Sequence, residues 1–415
     1  MSTTPSATEP SVDAVIVGGG IAGLWLLNLL SRRGYSAVLL EAQRLGGSQT
    51  LASQGMIHGG LKYALGGNLT GASEAIAAMP QRWARCLTGN LTSIGDLDLS
   101  ALTPLSDRYF MFAADSTLGR LTAFFASRSL RGRIRRLDRG DYPPALADPG
   151  FRGVVYELND FVLDTPALLE VLRAPLADRI YRHAVGAADL ELGDDGCRIA
   201  CGATTLRARR LLLTAGAGTA KLLPALGVAA PRLQLRPLHQ VLVRHRYPHP
   251  LYAHCLTGIR RPEPRLTITS HRDGDGWLWY LGGQLAGDGV DMTAAALIDH
   301  ARDELTTCIP WIPWGDAEFS TLRVDRAEPA HGEGRRPDEA YAAAVGAAVV
   351  AWPTKLSLMP DLGDKVLALM PPPLTAPHLT APHLTPPHLT PPRALPPAPV
   401  LDLPAAEVGH PPWAR

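Results

Sequence analysis

A glycine-rich turn near the N-terminus, enclosed between apolar segments, constrains the fold of this chain more than any other feature. The turn occupies residues 18–23 (GGGIAG), after an apolar, β-branched run at 12–17 and before an apolar, helical run at 24–30. A second predicted strand follows and ends in an acid, Glu41, 18 residues after the last glycine of the turn. Strand, turn, helix, strand and acid in this order are the fingerprint of a dinucleotide-binding βαβ unit, whereas a bare glycine-rich turn lacks these neighbours.

The three spaced glycines of this turn have different expected roles. Gly18 permits the tight turn, Gly20 lets the backbone approach a pyrophosphate, and Gly23 lets the helix pack against the strand. The pyrophosphate is expected against the free amides at the positive end of the helix, and the acid after the second strand is expected to bind a ribose. The predicted cofactor contacts of this unit are Gly18, Gly20, Ile21, Ala22, Gly23 and Glu41.

Length and composition limit the remaining possibilities. The 415 residues are enough for two lobes with a large core, and a net charge of +1 offers no global field that would recruit nucleic acid. The sequence lacks an uninterrupted apolar stretch of about 20 residues, and residues 1–10 do not have the pattern of a signal peptide. The five cysteines are scattered without a CxxC pair, so we expect free thiols in a cytoplasmic protein, and we predict no metal site.

A histidine-containing segment, SQGMIHGGLKY at residues 53–63, follows the second strand closely. With the fingerprint before it, this segment resembles the D-amino-acid-oxidase-like superfamily of FAD-dependent oxidoreductases. It is most similar to the glycerol-3-phosphate and L-2-hydroxyglutarate dehydrogenase branch, whose members carry an Ile-His-Gly-Gly or Ile-His-Ala-Gly segment beside the flavin ring. The resemblance extends to LDTP at 163–166, TAGAG at 214–218 and WPTKLSLMP at 352–360.

This resemblance implies a two-lobed α/β fold. One lobe is expected to be a Rossmann-type FAD-binding domain with a parallel sheet, and the other a mixed or antiparallel sheet that caps the substrate side. Both domains are expected to be discontinuous in sequence. The predicted FAD-binding domain comprises residues 12–80, 165–235 and 325–370, and the predicted substrate domain comprises residues 81–164 and 236–324.

The C-terminal part, residues 371–415, differs from the rest in composition. It contains a five-residue period, Leu-Thr-Ala/Pro-Pro-His, and so many prolines predict an extended, polyproline-like and disordered tail. Its histidines His378, His383 and His388 suggest a metal-binding tract as an alternative to a neutral repeat expansion, which we favour. The apolar end of the tail is a candidate for docking on the body of the protein.

The resemblance also implies cofactor contacts beyond the first turn. The His-Gly-Gly segment is expected beside the flavin ring, and a second Gly/Ala turn follows another buried strand. The late segment is expected to open a helix whose N-terminal amides face the pyrimidine edge of the flavin. Here Trp-Pro-Thr-Lys replaces the family's Gly-x-x-Gly, so that edge is expected to carry a lysine. The predicted contacts are Ser53, Gln54, His58, Gly59, Gly60, Ala215, Gly216, Thr354, Lys355 and Leu356.

Oxidising a C–H bond beside a hydroxyl or an amine requires a base, a cation for the acid group, and dipoles for the reduced flavin. Lys355 is the candidate for stabilising the reduced flavin, against the alternative of a solvated surface lysine. His58 is the leading candidate base, with His239 as another, and contact with the flavin or covalent attachment to it is the alternative role of His58. Arg323 and Arg326 are candidates for the cation, and because they lie on opposite faces of a strand only one should point at the substrate.

We therefore expect FAD-dependent oxidation of a small anionic substrate, a 2-hydroxy acid or a polyol phosphate, by hydride transfer to flavin N5. The electrons would pass to a quinone, another protein or oxygen, and no nucleic acid is expected as a partner. Three alternatives remain open. They are an amino-acid or secondary-amine dehydrogenase or oxidase of the same fold, a flavin-binding partner protein without turnover, and binding of NAD in place of FAD.

An arginine-rich run at 128–136 follows an apolar stretch at 118–125 that contains two phenylalanines. This pattern suggests an amphipathic contact with a membrane surface, where a quinone would receive electrons. A solvated arginine-rich helix is the simpler interpretation, and we favour it.

Overall fold

The computed structural model of the chain describes residues 9–60, 71–114, 134–193, 195–224, 227, 231–256, 264–330, 339–374 and 395–414. In chain order the strands are β1 Ser11–Val17, β2 Ala37–Glu41, β3 Met56–Ile57, β4 Tyr109–Ala114, β5 Ile134–Arg136, β6 Gly153–Leu158, β7 Phe161–Val162, β8 Ile180–Arg182, β9 Leu190–Gly193, β10 Gly196–Cys201, β11 Thr204–Leu213, β12 Leu233–His245, β13 Ala253–Leu256, β14 Leu266–Asp273, β15 Gly276–Gly282, β16 Glu318–Pro329, β17 Tyr341–Val345 and β18 Ala348–Trp352. The helices are α1 Ile21–Arg32, α2 Gly71–Leu87, α3 Thr165–Arg173, α4 Thr219–Leu222, α5 Gln284–Asp288, α6 Ala294–Cys308 and α7 Met359–Ala368.

The first sheet has the order β17-β18-β11-β1-β2-β8, with the ribbon of β9 and β10 attached to β11. Strands β18, β11, β1, β2 and β8 run parallel to one another. Residues 12–17 of β1 are all buried, because a central parallel strand is covered on both faces, and all of them except Asp13 are apolar. The predicted Rossmann-type sheet is therefore confirmed.

The second sheet has the order β16-β12-β15-β14-β13-β4-β6-β5. All of its pairs are antiparallel except that of β13 with β4, so the predicted mixed or antiparallel sheet is also confirmed. Helix α6 covers one face of it through Leu297, Ala301 and Leu305, three fully buried residues four positions apart. That spacing places all three side chains on one side of the helix.

Three elements cross the domain limits expected from the sequence. Helix α2 runs through the limit at residue 80, and its residues Trp83 and Cys86 belong to the same apolar cluster as α1. Strand β12 begins at Leu233 and β16 ends at Pro329, so both extend a few residues past the expected limits of the substrate domain. The packing of α2 with α1 and the pairing of β12 with β16 join residues that are far apart in the sequence, so local composition does not reveal these limits.

Helix α3 begins as the sequence predicts. The Asp164 carboxylate accepts a hydrogen bond of 3.2 Å from the amide of Ala167, and a proline lies in the first turn. This arrangement satisfies one of the amides that a helix N-terminus leaves without a partner, and the proline has no amide to satisfy.

Of the C-terminal tail, residues 371–374 and 395–414 are described, and the longer of these segments, 395–414, contains no helix or strand but packs on the body of the protein. Leu401 and Ala406 are buried, and the segment forms isolated bridges to Leu45 and Tyr181. The expectation of disorder therefore does not extend to these residues. The histidine repeat and most of the basic run at 128–136 lie outside the described residues.

Among the described helices, none is both long and apolar enough to cross a membrane. All five cysteines are described, and each is buried as a free thiol.

Candidate active site

A cavity of about 1090 Å³ lies where the carboxyl ends of the parallel strands face the second sheet. The glycine-rich turn, the loop after β2, and the segments that follow β8, β11 and β18 line it, together with residues of β12 and β16. Ligands of open α/β sheets bind beyond the carboxyl ends of the strands, so the position agrees with the dinucleotide site expected from the sequence.

The glycine-rich turn has the tight geometry that its sequence requires. Gly18 has a φ of +108°, and a Cβ atom on it would lie 2.5 Å from the Cα atom of Ala215. A Cβ atom on Gly23 would lie 1.9 Å from the carbonyl oxygen of Gly18, so only glycine lets α1 approach the turn. Helix α1 starts at Ile21 with Gly20 as its N-cap, without a side-chain cap and without an acid in its first turn. Its positive end is therefore suited to an anionic group in the cavity.

The carboxylate of Glu41 is fixed by backbone donors at the end of β2. Its Oε2 atom accepts a hydrogen bond of 2.6 Å from the amide of Gly19, and its Oε1 atom accepts one of 2.9 Å from the amide of Gln43. Each carboxylate oxygen can accept more than one hydrogen bond, so both keep capacity for a further donor. Glu41 lines the cavity, where a ribose can supply such donors.

The turn after β11 packs directly on the glycine-rich turn. The hydroxyl of Thr214 lies 2.9 Å from the carbonyl oxygen of Gly18 and 3.1 Å from that of Val17. Ala215 and Gly216 follow it and line the cavity, as predicted.

The loop between β2 and β3 connects the cavity to the second sheet. The Ser53 hydroxyl donates to the carbonyl oxygen of Thr50 at 2.8 Å. The Gln54 amide group donates to the carbonyl oxygens of Tyr280 at 2.8 Å and Thr267 at 3.1 Å. Both predicted contacts line the cavity, but the Gln54 side-chain nitrogen is used to attach the loop to β14 and β15 of the second sheet.

The segment after β18 holds a strained residue at the cavity wall. Thr354 has a φ of +58° and is the only non-glycine residue with a positive φ among those described. A β-branched residue in the left-handed region is an outlier, and such outliers concentrate at functional sites. The Thr354 hydroxyl donates to the carbonyl oxygen of Glu339 at 3.0 Å. Thr354 thus holds a backbone conformation that usually requires glycine, at the place where the family pattern has Gly-x-x-Gly.

Lys355 follows this turn and is almost completely buried, with 5% of its surface exposed at the cavity wall. Leu356 also lines the cavity and begins a 3-10 turn, Leu356–Leu358, that leads into α7 at Met359. The α-helix therefore starts four residues after Lys355. The segment thus opens α7 through a 3-10 turn, and the contact of its amides with the flavin edge stays a prediction.

The family model described as FAD dependent oxidoreductase, DAO, matches residues 13–344. The chain belongs to the DAO family of FAD-dependent oxidoreductases. Over 360 residues, 86% of this chain and 90% of the relative, it is 48% identical to the probable FAD-dependent oxidoreductase PA4991 of Pseudomonas aeruginosa. The crystal structure of that protein superposes with a TM-score of 0.77 at 39% identity, covering 98% of this chain and 99% of the other.

More distant solved structures share the fold. Glycine oxidase of Geobacillus kaustophilus matches with a TM-score of 0.60 at 18% identity, covering 88% of this chain and 96% of the other. L-α-glycerophosphate oxidase of Mycoplasma pneumoniae, with FAD bound, matches with a TM-score of 0.61 at 12% identity, covering 87% of this chain and 94% of the other. These proteins act on different substrate classes, so the fold alone does not name a substrate.

The cofactor of this DAO family member is FAD, and the cavity residues fit it. The uncapped end of α1 suits the pyrophosphate, and Glu41 suits a ribose. The buried ammonium of Lys355 suits an isoalloxazine edge that gains negative charge on reduction.

Strand β16 separates the two candidate arginines. Arg326 lines the cavity together with Val324 and Glu328, which lie two residues away on either side. The guanidinium of Arg323 points to the other side and donates to the carbonyl oxygens of Val290 at 2.8 Å and Met292 at 2.7 Å. Of the two arginines, Arg326 therefore lines the cavity and Arg323 does not, and binding of a substrate by Arg326 stays a prediction.

The His58 segment lies against the turn before α7. The His58 amide donates to the Ser357 hydroxyl at 3.0 Å, and the Gly60 amide donates to His58 Nδ1 at 3.2 Å. Since a backbone amide can only donate, Nδ1 carries a lone pair and a neutral ring has its proton on Nε2. In this state Nε2 is not a proton acceptor, which weakens the role of His58 as the base. The described residues that line the cavity do not include His58, Gly59 and Gly60. Contact of these three residues with the flavin stays a prediction.

A buried acid, Asp160, supports the same segment. Its Oδ1 atom accepts a hydrogen bond of 2.9 Å from the amide of Gly59. Burial raises the pKa of Asp160 to about 7, although the hydrogen bond from Gly59 acts in the opposite direction. Desolvation disfavours the charged carboxylate.

His239 is not part of the cavity wall. It is 2% exposed, and its Nδ1 atom lies 3.0 Å from the carbonyl oxygen of Gly289, so it is a buried structural residue. Sequence reasoning missed several residues that do line the cavity. These are Thr50, His183, Val185, Gln240, Glu328, Gly409 and His410. The position of Val185 just after a parallel strand could have identified it, whereas no local signal marks His410.

Proposed function

We propose that the protein oxidises a small anionic metabolite, a 2-hydroxy acid or a polyol phosphate, and that Arg326 binds its acid group. The observation that carries the proposal is that Arg326 and Lys355, from β16 and the turn after β18, line the same cavity. FAD, when bound, would supply the redox chemistry as the acceptor of a hydride at N5. The guanidinium of Arg326 offers a planar fork that matches a carboxylate or a phosphate.

Lys355 has a different role in this proposal. Its side chain lies at the cavity wall, where reduction of a bound flavin would place negative charge that an ammonium stabilises. Lys355 therefore stabilises the product state of the cofactor, while Arg326 orients the substrate.

Oxidation of an amino acid or secondary amine is the second candidate, and Glu328 favours it. This carboxylate is 2% exposed, lines the cavity on the same face of β16 as Arg326, and accepts a hydrogen bond of 3.3 Å from Arg236. Arg326 and Glu328 together offer opposite charges to the two ends of a zwitterion. The fold shared with glycine oxidase is consistent with this candidate.

An anaerobic visible spectrum, recorded before and after adding hydroxy acids, polyol phosphates and amino acids, tests the proposal. Bleaching by one class identifies the reaction, and a band that no compound bleaches supports a flavin-binding protein without turnover. The pH profile separates the two enzymatic candidates. An amine must be neutral to react, so its rate rises steeply with pH, whereas the rate with a hydroxy acid stays flat.

Arg326→Gln tests the role of the arginine, with Arg323→Gln on the opposite face of β16 as the matched control. Loss of a charge-assisted hydrogen bond of about 1.5–3 kcal/mol should raise the KM for the reducing substrate roughly 10- to 100-fold. Arg323→Gln should leave that KM unchanged. Equal KM values for Arg326→Gln and the unmodified protein would refute substrate binding by Arg326.

The electron acceptor is a quinone, another protein or oxygen. Oxygen uptake during turnover, compared with reduction of a soluble quinone, distinguishes the first and last of these. The free and buried state of all five cysteines supports a reducing cytoplasm as the location.

A further inference from the structure

The end of the chain crosses the cavity from the first sheet to the second. Residues 404–413, which we name the C-terminal strap, begin beside β8 at the edge of the first sheet. The amide of Arg182 donates to the carbonyl oxygen of Pro404 at 2.7 Å, and the amide of Ala406 donates to that of Ile180 at 3.2 Å. The start of the strap is therefore fixed by backbone hydrogen bonds, independently of its side chains.

The middle of the strap pairs with the loop that follows β2. The Leu45 amide donates to the carbonyl oxygen of Glu407 at 2.9 Å, and the Gly409 amide donates to the carbonyl oxygen of Leu45 at 2.9 Å. The next amide of the loop, that of Gly46, donates to the carbonyl oxygen of Gly19 in the glycine-rich turn at 2.9 Å. The strap thus supports the same loop that forms one wall of the FAD cavity. Gly409 and His410 of the strap themselves line that cavity.

The far end of the strap is fixed to the second sheet by Trp413. The centre of its ring lies 5.2 Å from that of Tyr280 and 4.5 Å from that of His271. The guanidinium of Arg244 donates to the carbonyl oxygen of Trp413 at 2.5 Å. Tyr280 in turn donates through its hydroxyl to the carbonyl oxygen of Ala52, in the same loop between β2 and β3 that pairs with the strap through Leu45. Both ends of the strap are therefore attached, one on each side of the cavity.

We propose that the C-terminal strap retains bound FAD, with His410 as a contact of the cofactor and Trp413 as the latch. The loop after β2 forms one wall of the cavity and is held in place by the strap, so displacing the strap would loosen that wall around bound FAD. Detaching Trp413 from the second sheet frees the end of the strap without altering the glycine-rich turn. The strap therefore affects the rate of FAD release more than it affects the rate of substrate oxidation.

The test compares three single variants of the full-length holoprotein. Trp413→Ala removes the latch, His410→Ala removes the cavity contact, and Val400→Ala is the matched control, because Val400 lies in the same C-terminal segment with 91% of its surface exposed. After dilution, release of FAD is followed by the rise of free flavin fluorescence. We expect release roughly tenfold faster from Trp413→Ala, faster by about threefold from His410→Ala, and unchanged from Val400→Ala.

Hydrogen exchange gives a second readout that does not depend on folding of the Trp413 variant. Peptides containing Leu45 and Gly409 should exchange more slowly in the holoprotein than after removal of FAD, since closing the strap and binding the cofactor stabilise each other. His410 is exposed, so His410→Ala should fold normally.

Unchanged FAD release from both Trp413→Ala and His410→Ala would overturn the proposal. Equal exchange of the two peptides with and without FAD would do so as well. If FAD release were faster from Val400→Ala too, the effect would come from general destabilisation of the C-terminal segment, and the proposal would be overturned. None of these outcomes depends on which substrate reduces the flavin.

Discussion

Thr354 offers a direct measurement of strain at the cofactor cavity. Its φ of +58° costs a residue with a Cβ atom about 1–2 kcal/mol, which glycine does not incur. Glycine loses about 0.5–1 kcal/mol relative to alanine through the greater entropy of its unfolded chain. Both Thr354→Gly and Thr354→Ala remove the hydrogen bond to Glu339, so that loss cancels between them. The glycine variant should therefore be more stable than the alanine variant by about 0.5–1 kcal/mol.

At a position without a positive φ, the alanine variant should be more stable than the glycine variant, and such a position supplies the control. Thr103 is exposed and has no positive φ, so Thr103→Ala should be more stable than Thr103→Gly by about 0.5–1 kcal/mol. The four variants are compared by urea unfolding in the presence of saturating FAD, with FAD affinity measured separately because binding contributes to stability. If Thr354→Ala were as stable as Thr354→Gly, the strain argument would be refuted.

Gly23→Ala should prevent correct packing of α1, because its Cβ would overlap the carbonyl oxygen of Gly18. We expect the free energy of unfolding to fall by more than about 2 kcal/mol, measured by circular dichroism during urea unfolding. In Gly20→Ala, by contrast, the new Cβ lies 3.3 Å from the Thr50 hydroxyl, a tight contact that a shift of a few tenths of an ångström relieves. This variant should therefore lose less stability than Gly23→Ala and should lose FAD affinity, measured by flavin fluorescence titration. A buried carboxyl with a raised pKa of about 7 binds its proton more tightly when folded, so Asp160 should stabilise the protein fully below about pH 4 and lose that effect as the pH rises towards 7. Asp160→Asn, which keeps an acceptor for the Gly59 amide, should abolish this part of the pH dependence of unfolding by urea, worth at most roughly 4 kcal/mol; identical pH profiles for the two proteins would contradict the assignment.

The cofactor half of the site was predictable because its signals are local. A buried strand, a glycine turn and a terminal acid lie within one βαβ unit, and each position has a stereochemical requirement that a sequence displays. Gly23 is an example, since no other residue fits beside Gly18, and Asp164 is another, since its side chain caps the helix that begins beside it.

The substrate half was predictable only as a set of candidates. Alternation along β16 predicts that Arg323 and Arg326 point to opposite sides, but the side that faces the cavity depends on how β16 pairs with β12 and packs on the flavin lobe. His58 and His239 are both plausible bases in sequence. The hydrogen bond from Gly60 to His58 and the burial of His239 beside Gly289 become visible only when the chain is folded.

The sequence by itself determined the class of fold, the FAD-binding turn and the parallel strands around it, because short-range periodicity and glycine stereochemistry specify them. Tertiary structure alone decided which arginine lines the cavity, how Thr354 came to hold a left-handed conformation, and where the end of the chain lies. His410 reaches a cavity whose walls come from segments far apart in the chain, and it is held there through backbone hydrogen bonds between the strap and Leu45. Backbone pairing of this kind depends little on side-chain identity, so the sequence of the segment does not reveal its partner.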